Sequence, residues 1–220
     1  MGIGVPSSNF ETTDAISVLT ERYPGVRRQT YREGETIFAQ GQCALSLFYI
    51  CSGKVRKTRV STSGKTRVIA VLGPQEFFGT KCVIDAGSER ECTVSAMTNC
   101  SVACIDRTTM VRALREKPDV AEMFITSLID RAYRYEGELV SHLYNSSEQR
   151  LVRTLLGLSE GIPKEGSLPK ISQEVLAEIV GTTRPRINQF LKKFHRLGLI
   201  EHGRTIRVLP GLSEAYRMSE

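Results

Sequence analysis

The chain has 220 residues, 40% of them hydrophobic and without a biased tract, which suits one medium domain plus a small one and excludes a fibre or a disordered tail. The net charge of +6 is unevenly placed: residues 150–220 hold twelve Lys and Arg against seven Asp and Glu, a net +5, while residues 1–149 hold eighteen against seventeen. No stretch reaches the apolar length of a membrane span, and the opening MGIGVPSSNFETTD has neither the basic segment nor the apolar run of a secretory signal. Pro6 leaves a myristoylation motif at Gly2 unmatched, so the expected location is cytoplasmic.

From Tyr31 to Asp106 short β-type runs are punctuated by glycines at 34, 41, 53, 64, 73, 79 and 87, which predicts an antiparallel barrel or roll. Residues 46–51 and 55–60 flank Ser52 and Gly53 as an expected hairpin. A turn at 61–65 leads to a strand at 66–72, and residues 94–105 supply the late strands. No helical period occurs within this segment. Its six cysteines, Cys43, Cys51, Cys82, Cys92, Cys100 and Cys104, are scattered and are expected as reduced thiols. Cys100 and Cys104 share a strand face but stand too far apart along it for a disulfide.

Residues 109–116 read as a short helix closed by Pro118, and a long helix starts near Asp119. On the long helix Ala121, Leu128, Tyr135 and His142 recur every seven residues with Ile125, Ala132 and Leu139 between them, as in a two-stranded seam. A monomer could bury that stripe on its own barrel. The expected alternative is a homodimer through Leu128, Ala132, Tyr135 and Leu139, which would align two reading heads.

Those heads are read from residues 171–209, ISQEVLAEIVGTTRPRINQFLKKFHRLGLIEHGRTIRVL. Ser172 caps a helix with Val175, Leu176, Ile179 and Val180 at helical spacing, and Gly181 takes the left-handed turn that ends it. Thr182 or Thr183 caps the next helix, Pro185 sits in its first turn, Ile187, Phe190, Leu191, Phe194 and Leu197 form its apolar stripe, and Gly198 stops it. Arg184, Arg186, Asn188, Gln189, Lys192 and Lys193 crowd the other face, and such donors read base edges or grip phosphates. The plain alternative is a solvated face on a packing helix. A short hairpin follows, with His202, Gly203 and Arg204 at its tip, and His202 is expected to contact phosphate or backbone rather than a metal. The charge excess of the last third agrees with phosphate neutralisation. No nucleophile with a base, phosphate-cradling Gly-Lys-Ser loop or metal-ligand spacing appears, so neither an enzyme nor a cofactor is expected.

YREGETIFAQG at 31–41, LFYICSGKV at 47–55, PQEFFGTKCVIDAGSERECTVSAMTNCSV at 74–102 and the helix-turn-helix, in this order, resemble the CRP/FNR superfamily of bacterial transcription regulators. The resemblance spans about residues 20–210. It implies an α+β fold: an N-terminal antiparallel β-roll like a cyclic-nucleotide-binding domain (1–118), a dimerisation helix and hinge (119–146), and a C-terminal winged helix-turn-helix (147–220). It further implies a two-fold double-stranded DNA operator, a second copy of the chain and RNA polymerase as partners. Thr183, Arg184, Arg186 and Gln189 match base- or phosphate-contact positions of the family, and Ser172 and Lys192 match backbone-contact ones. Pro185 stands where the family commonly has an acid and Gln189 where it has an arginine.

In members that bind cyclic AMP, the F-G pair is followed by a glutamate for the ribose, and an arginine followed by a small residue takes the phosphate. Here Gly79 is followed by Thr80 and Arg90 by Glu91, with Tyr135 and Glu136 at long-helix positions where small hydroxyl residues stand. Glu91 is expected to compete for the Arg90 guanidinium and repel a phosphate, leaving a vestigial pocket. Arg90 and Glu91 can also be read as surface charges. The cysteines lack the N-terminal clustering of an iron-sulfur member, and no histidine precedes His142 to hold a haem. The expected function is a homodimeric sequence-specific DNA-binding regulator that does not respond to cyclic AMP in the usual mode. The alternatives are a cyclic-nucleotide regulator with a divergent pocket, or a ligand-binding module whose helix-turn-helix contacts protein.

Overall fold

The computed structural model describes residue 19 and residues 23–62, 64–160, 167–203 and 205–217. Eight strands build the N-terminal part: β1 Val26–Tyr31, β2 Thr36–Phe38, β3 Ser46–Ser52, β4 Val55–Val60, β5 Thr66–Leu72, β6 Phe77–Phe78, β7 Thr93–Ala96 and β8 Cys100–Asp106. They form two antiparallel four-stranded sheets, ordered β1-β8-β3-β6 and β2-β7-β4-β5. Strand alternation sorts the side chains of β3: Phe48 and Ile50 enter the space between the sheets, and Leu47 and Tyr49 turn outward under the helices. Phe38, Phe48 and Phe78 stack at 5.0–5.9 Å in the inner layer.

The expected hairpin of β3 and β4 does not form. β3 pairs with β8 and β6, while β4 pairs with β5 and β7 in the other sheet. Because β3 is buried on both faces, it belongs in the middle of a sheet and the chain has to leave it sideways. The crossing uses Gly53 at φ +88, where a Cβ would lie 2.5 Å from the Asn99 carbonyl oxygen. The turn between β4 and β5 is as expected. One helical turn, α1 Lys81–Ile84, interrupts the strands and is too short to show a period.

The helices α2 Arg107–Glu116 and α3 Pro118–Tyr144 cover the outer face of the first sheet through Met110, Ala113, Val120 and Phe124. The Arg131 guanidinium donates to the Phe77 carbonyl, and Arg134 pairs with Glu76, so α3 grips the strand that leads into α1. Among the described residues the opposite face of α3 has no apolar cover. Ile125, Ile129, Ala132, Leu139, Val140 and Leu143 are exposed, Leu139 by 61% and Leu143 by 69%. The sequence stripe therefore divides: Leu128 packs on the chain's own roll, Ala132, Tyr135 and Leu139 face outward, and the His142 side chain lies outside the described residues.

The third core belongs to α4 Ser147–Ser159, α5 Gln173–Val180, α6 Arg184–Arg196, β9 Ile200–His202, β10 Ile206–Val208 and α7 Gly211–Arg217. Leu151, Leu155, Leu176, Val180, Ile187, Leu191, Phe194, Ile200, Ile206 and Leu212 fill it, and Met97 and Val71 of the roll pack against it. A capping box of Ser146 and Gln149 starts α4 just after α3 ends. Among the described residues no helix is long and apolar enough to cross a membrane.

Candidate nucleic-acid interface

Local chemistry sets α5 and α6 at a fixed angle. The Ser172 hydroxyl accepts from the Val175 N–H at 3.2 Å, and Gly181 at φ 69 ends α5 with its own N–H on the Ala177 carbonyl. Thr183 begins α6 without a capping bond from its hydroxyl, and Pro185 occupies the first turn. Ile187, Leu191 and Phe194 are buried against α5 and β9, which leaves Arg184, Arg186, Gln189 and Lys192 exposed and Asn188 half-buried on the opposite face. Leu197, expected in the apolar stripe, is the exposed C-cap, because Gly198 turns the chain and Leu199 packs inward instead. β9 and β10 pair in register as a wing with His202 at its end, and Arg204 lies outside the described residues.

Two of the expected donors are engaged within the chain. Arg184 Nε bonds Glu174 at 2.9 Å across the helix-turn-helix, and Lys193 Nζ bonds Glu148 of α4 at 2.6 Å, which turns Lys193 toward its own domain. Ser172, Arg184 and His202 also line a cleft of about 640 Å³ whose far wall is Glu33, Arg56 and Met97 of the roll. Lys54 holds that arrangement by donating to the carbonyls of Gly157 and Leu158 at the end of α4, and Arg67 reaches Glu178 of α5 at 3.7 Å. Arg150 caps α5 through the Val180 carbonyl and holds the hinge through the Asn145 carbonyl. Lys54, Arg150 and Glu174 carried no signal in sequence, since a lone Lys, Arg or Glu does not reveal a distant partner.

At the other candidate site the structure corrects the sequence reading. Arg90 is 7% exposed, and its guanidinium donates to the Ser46 carbonyl at 2.6 Å and the Gly79 carbonyl at 3.1 Å while lying 4.2 Å from the Phe38 ring centroid. Burial pushes its pKa down. It is no surface charge. Glu91 does not compete for it, because adjacent residues on an extended chain point to opposite sides, and Glu91 instead pairs with Lys81 at 2.7 Å outside the roll. The hydrogen bond from Lys81 holds the Glu91 carboxyl below its ordinary value. Gly79 at φ +69 leaves room for Arg90, since a Cβ there would stand 2.5 Å from Nη1. Thr80 begins α1, and Tyr135 and Glu136 are exposed on α3. All six cysteines are free thiols.

Comparison with known proteins agrees with both halves. The cyclic nucleotide-binding domain family matches residues 28–117, and the Crp-like helix-turn-helix domain family matches residues 149–214. A CRP-like cAMP-activated global transcriptional regulator of Mycobacterium tuberculosis is 27% identical over 191 residues, 84% of each chain. The cyclic AMP receptor protein of Thermus thermophilus is 30% identical over 178 residues, 80% of this chain and 81% of its own. The chain belongs to the CRP/FNR superfamily of bacterial transcription regulators. The fold of this regulator is shared with the c-di-GMP responsive global regulator CLP of Xanthomonas campestris, with a TM-score of 0.70 at 23% identity over 90% of this chain and 98% of that one. A CRP-family transcriptional regulator of Thermus thermophilus superposes with a TM-score of 0.73 at 21% identity, over 86% of this chain and 95% of that one. This regulator is thus a DNA-binding transcription regulator of the CRP/FNR type.

Proposed function

We propose that the chain acts in the cytoplasm as a homodimer on a two-fold operator. In this reading α6 enters the major groove with Arg184, Arg186, Asn188 and Gln189 at base edges or phosphates, and Ser172, Thr182, Thr183, Lys192 and His202 hold the flanking backbone. The observation that carries it is the exposed donor-rich face of α6 opposite a fully buried Ile187 and Leu191. The uncovered apolar face of α3 supports the second copy, because a soluble chain gains by burying such a stripe. RNA polymerase is the further partner expected of such a regulator.

The roll does not take cyclic AMP in the usual mode. Thr80 offers no carboxylate to a ribose, and Arg90 spends its guanidinium on two carbonyls and an aromatic face. Gel shifts on genomic fragments with and without cyclic AMP, alongside calorimetry, test the whole reading. Specific binding without nucleotide is expected; micromolar cyclic AMP affinity, about 8 kcal/mol, together with a nucleotide requirement for the shift would overturn it.

A further inference from the structure

Between Lys170 and Arg196 the helix-turn-helix holds six Lys and Arg and two carboxylates. Glu178 turns toward the roll, 3.7 Å from Arg67. Glu174 turns toward α6, where its carboxylate stands 2.9 Å from Nε of Arg184. The side chains of this second pair are 66% exposed at Arg184 and 55% exposed at Glu174, so the pair contributes little to folding. A carboxylate on a face that approaches DNA is moreover repelled by phosphates. An acid in the first turn of α5 suits the positive end of that helix, but this preference does not require it to reach the next helix.

Both ends of the pair stand on fixed backbone. Glu174 follows the Ser172 cap at the start of α5, whose Leu176, Ala177 and Val180 are buried. Arg184 is the first residue of α6, ahead of Pro185 and the fully buried Ile187. Hydrogen bonds from its own N–H and from the Ser172 hydroxyl, with the charge of Arg184 beside it, hold the Glu174 carboxyl below its ordinary value. Engaging Nε of a guanidinium leaves Nη1 and Nη2 as a fork directed away from the carboxylate, and such a fork matches O6 and N7 of guanine. The neighbouring cations differ. Arg186 lies 5.9 Å from the Phe190 ring centroid, and neither it nor Lys192 has a carboxylate partner among the described residues.

We propose that Glu174 is a positioning residue of the reading face: it holds Arg184 with the Nη1 and Nη2 fork outward and cancels its charge, so that this arginine reads a guanine edge and is not drawn to the nearest phosphate. This rests on the reading that α6 enters the major groove, and it separates two tasks that the reading leaves joined. Arg184 takes the base edge, while Arg186 and Lys192, with uncancelled charge, grip phosphate. A lone arginine is attracted by every phosphate alike and loses side-chain freedom when it settles, whereas a neutralised, aligned one gains little from random sequence.

The test uses the full chain on a duplex selected from a random pool, on its single-base-pair variants, and on a random duplex, each at several salt concentrations. Glu174→Ala is expected to tighten random DNA at least threefold, to steepen the salt slope by about one for each head, and to cut discrimination at one base pair at least fivefold. Tighter random binding cannot come from misfolding. Glu174→Gln should steepen the slope in the same way yet keep more of the discrimination, because its amide oxygen still accepts from Nε. In an Arg184→Ala background, Glu174→Ala should leave discrimination unchanged, since no side chain remains to be positioned. Glu174→Ala that weakens both duplexes alike, leaves slope and discrimination as they were, or changes discrimination as much without Arg184 as with it overturns the proposal. Unchanged discrimination in Arg184→Ala alone would instead strike the reading of α6 itself, and the proposal with it.

Discussion

Arg184 and Lys192 sit on one helix and should fail in different ways. Arg184 begins α6 paired with Glu174; if it reads a base edge, as proposed, Arg184→Ala should cost about 1–3 kcal/mol on the specific site and relax preference at one base pair. Lys192 is exposed at mid-helix, and in the proposed reading it contacts phosphate. Lys192→Ala should weaken all sequences alike and lower the salt slope by about one. Titrations of specific and random duplexes at several salt concentrations check both, and equal losses on the two duplexes for both variants would remove the assignment. The same scale explains what sequence could not say about Arg90 and Glu91. Two adjacent charges look equivalent in a string, and only the two sheets decide which one enters the interior.

Where an element is defined by its own residues, sequence was sufficient. Ser172, Gly181 and Gly198 act on backbone within a few residues of themselves, and α5, its turn and α6 stand as their chemistry dictates. Pairing is different. Nothing within β3 or β4 states that they join different sheets, because the partners β8 and β7 lie about fifty and forty residues further on. On α3 the apolar period is legible, yet which residues meet the roll depends on the sheet beneath: Leu128 packs partly on it, while Ile129, Val140 and Leu143 share the exposure of Leu139. Leu139→Glu puts a charge into the uncovered face and should give monomers with poor operator affinity. Sedimentation that still finds a dimer would count against this face. At the base of α2, Asp106 accepts from the Thr109 N–H and the Thr108 hydroxyl, both at 2.7 Å. Burial raises its pKa, but these hydrogen bonds outweigh burial and hold it below its ordinary 3.8. Its stabilisation is therefore full above about pH 5 and fades as pH falls through 3.8 and below. Asp106→Ala should cost about 1 kcal/mol at pH 7 and less at pH 2, as measured by urea unfolding at both.

At the scale of the whole chain, the roll and the reading head are joined by more than the hinge. Lys54 on the α4 carbonyls, Arg67 on Glu178, and Met97 and Val71 in the third core hold the head against the sheet. Lys54→Met keeps the aliphatic stem but removes the capping charge, so it should loosen the head without unfolding either core. Faster proteolysis near residue 160 at an unchanged melting temperature for the roll is the expected outcome, and identical cleavage would argue that the lysine contributes nothing. The cleft itself sets a timing. A space of about 640 Å³ is too small to admit a duplex, and Ser172, Arg184 and His202 line that space. The rest of the α6 face is open, so the expectation is that DNA meets Arg186, Gln189 and Lys192 first and that full engagement of Ser172, Arg184 and His202 waits for the head to swing clear of the roll. The measured dissociation constant is then the intrinsic one divided by the fraction of heads that are open. Association followed at rising duplex concentration should level off at the opening rate rather than climb without limit, and the height of that plateau would report directly how often this regulator presents its reading face.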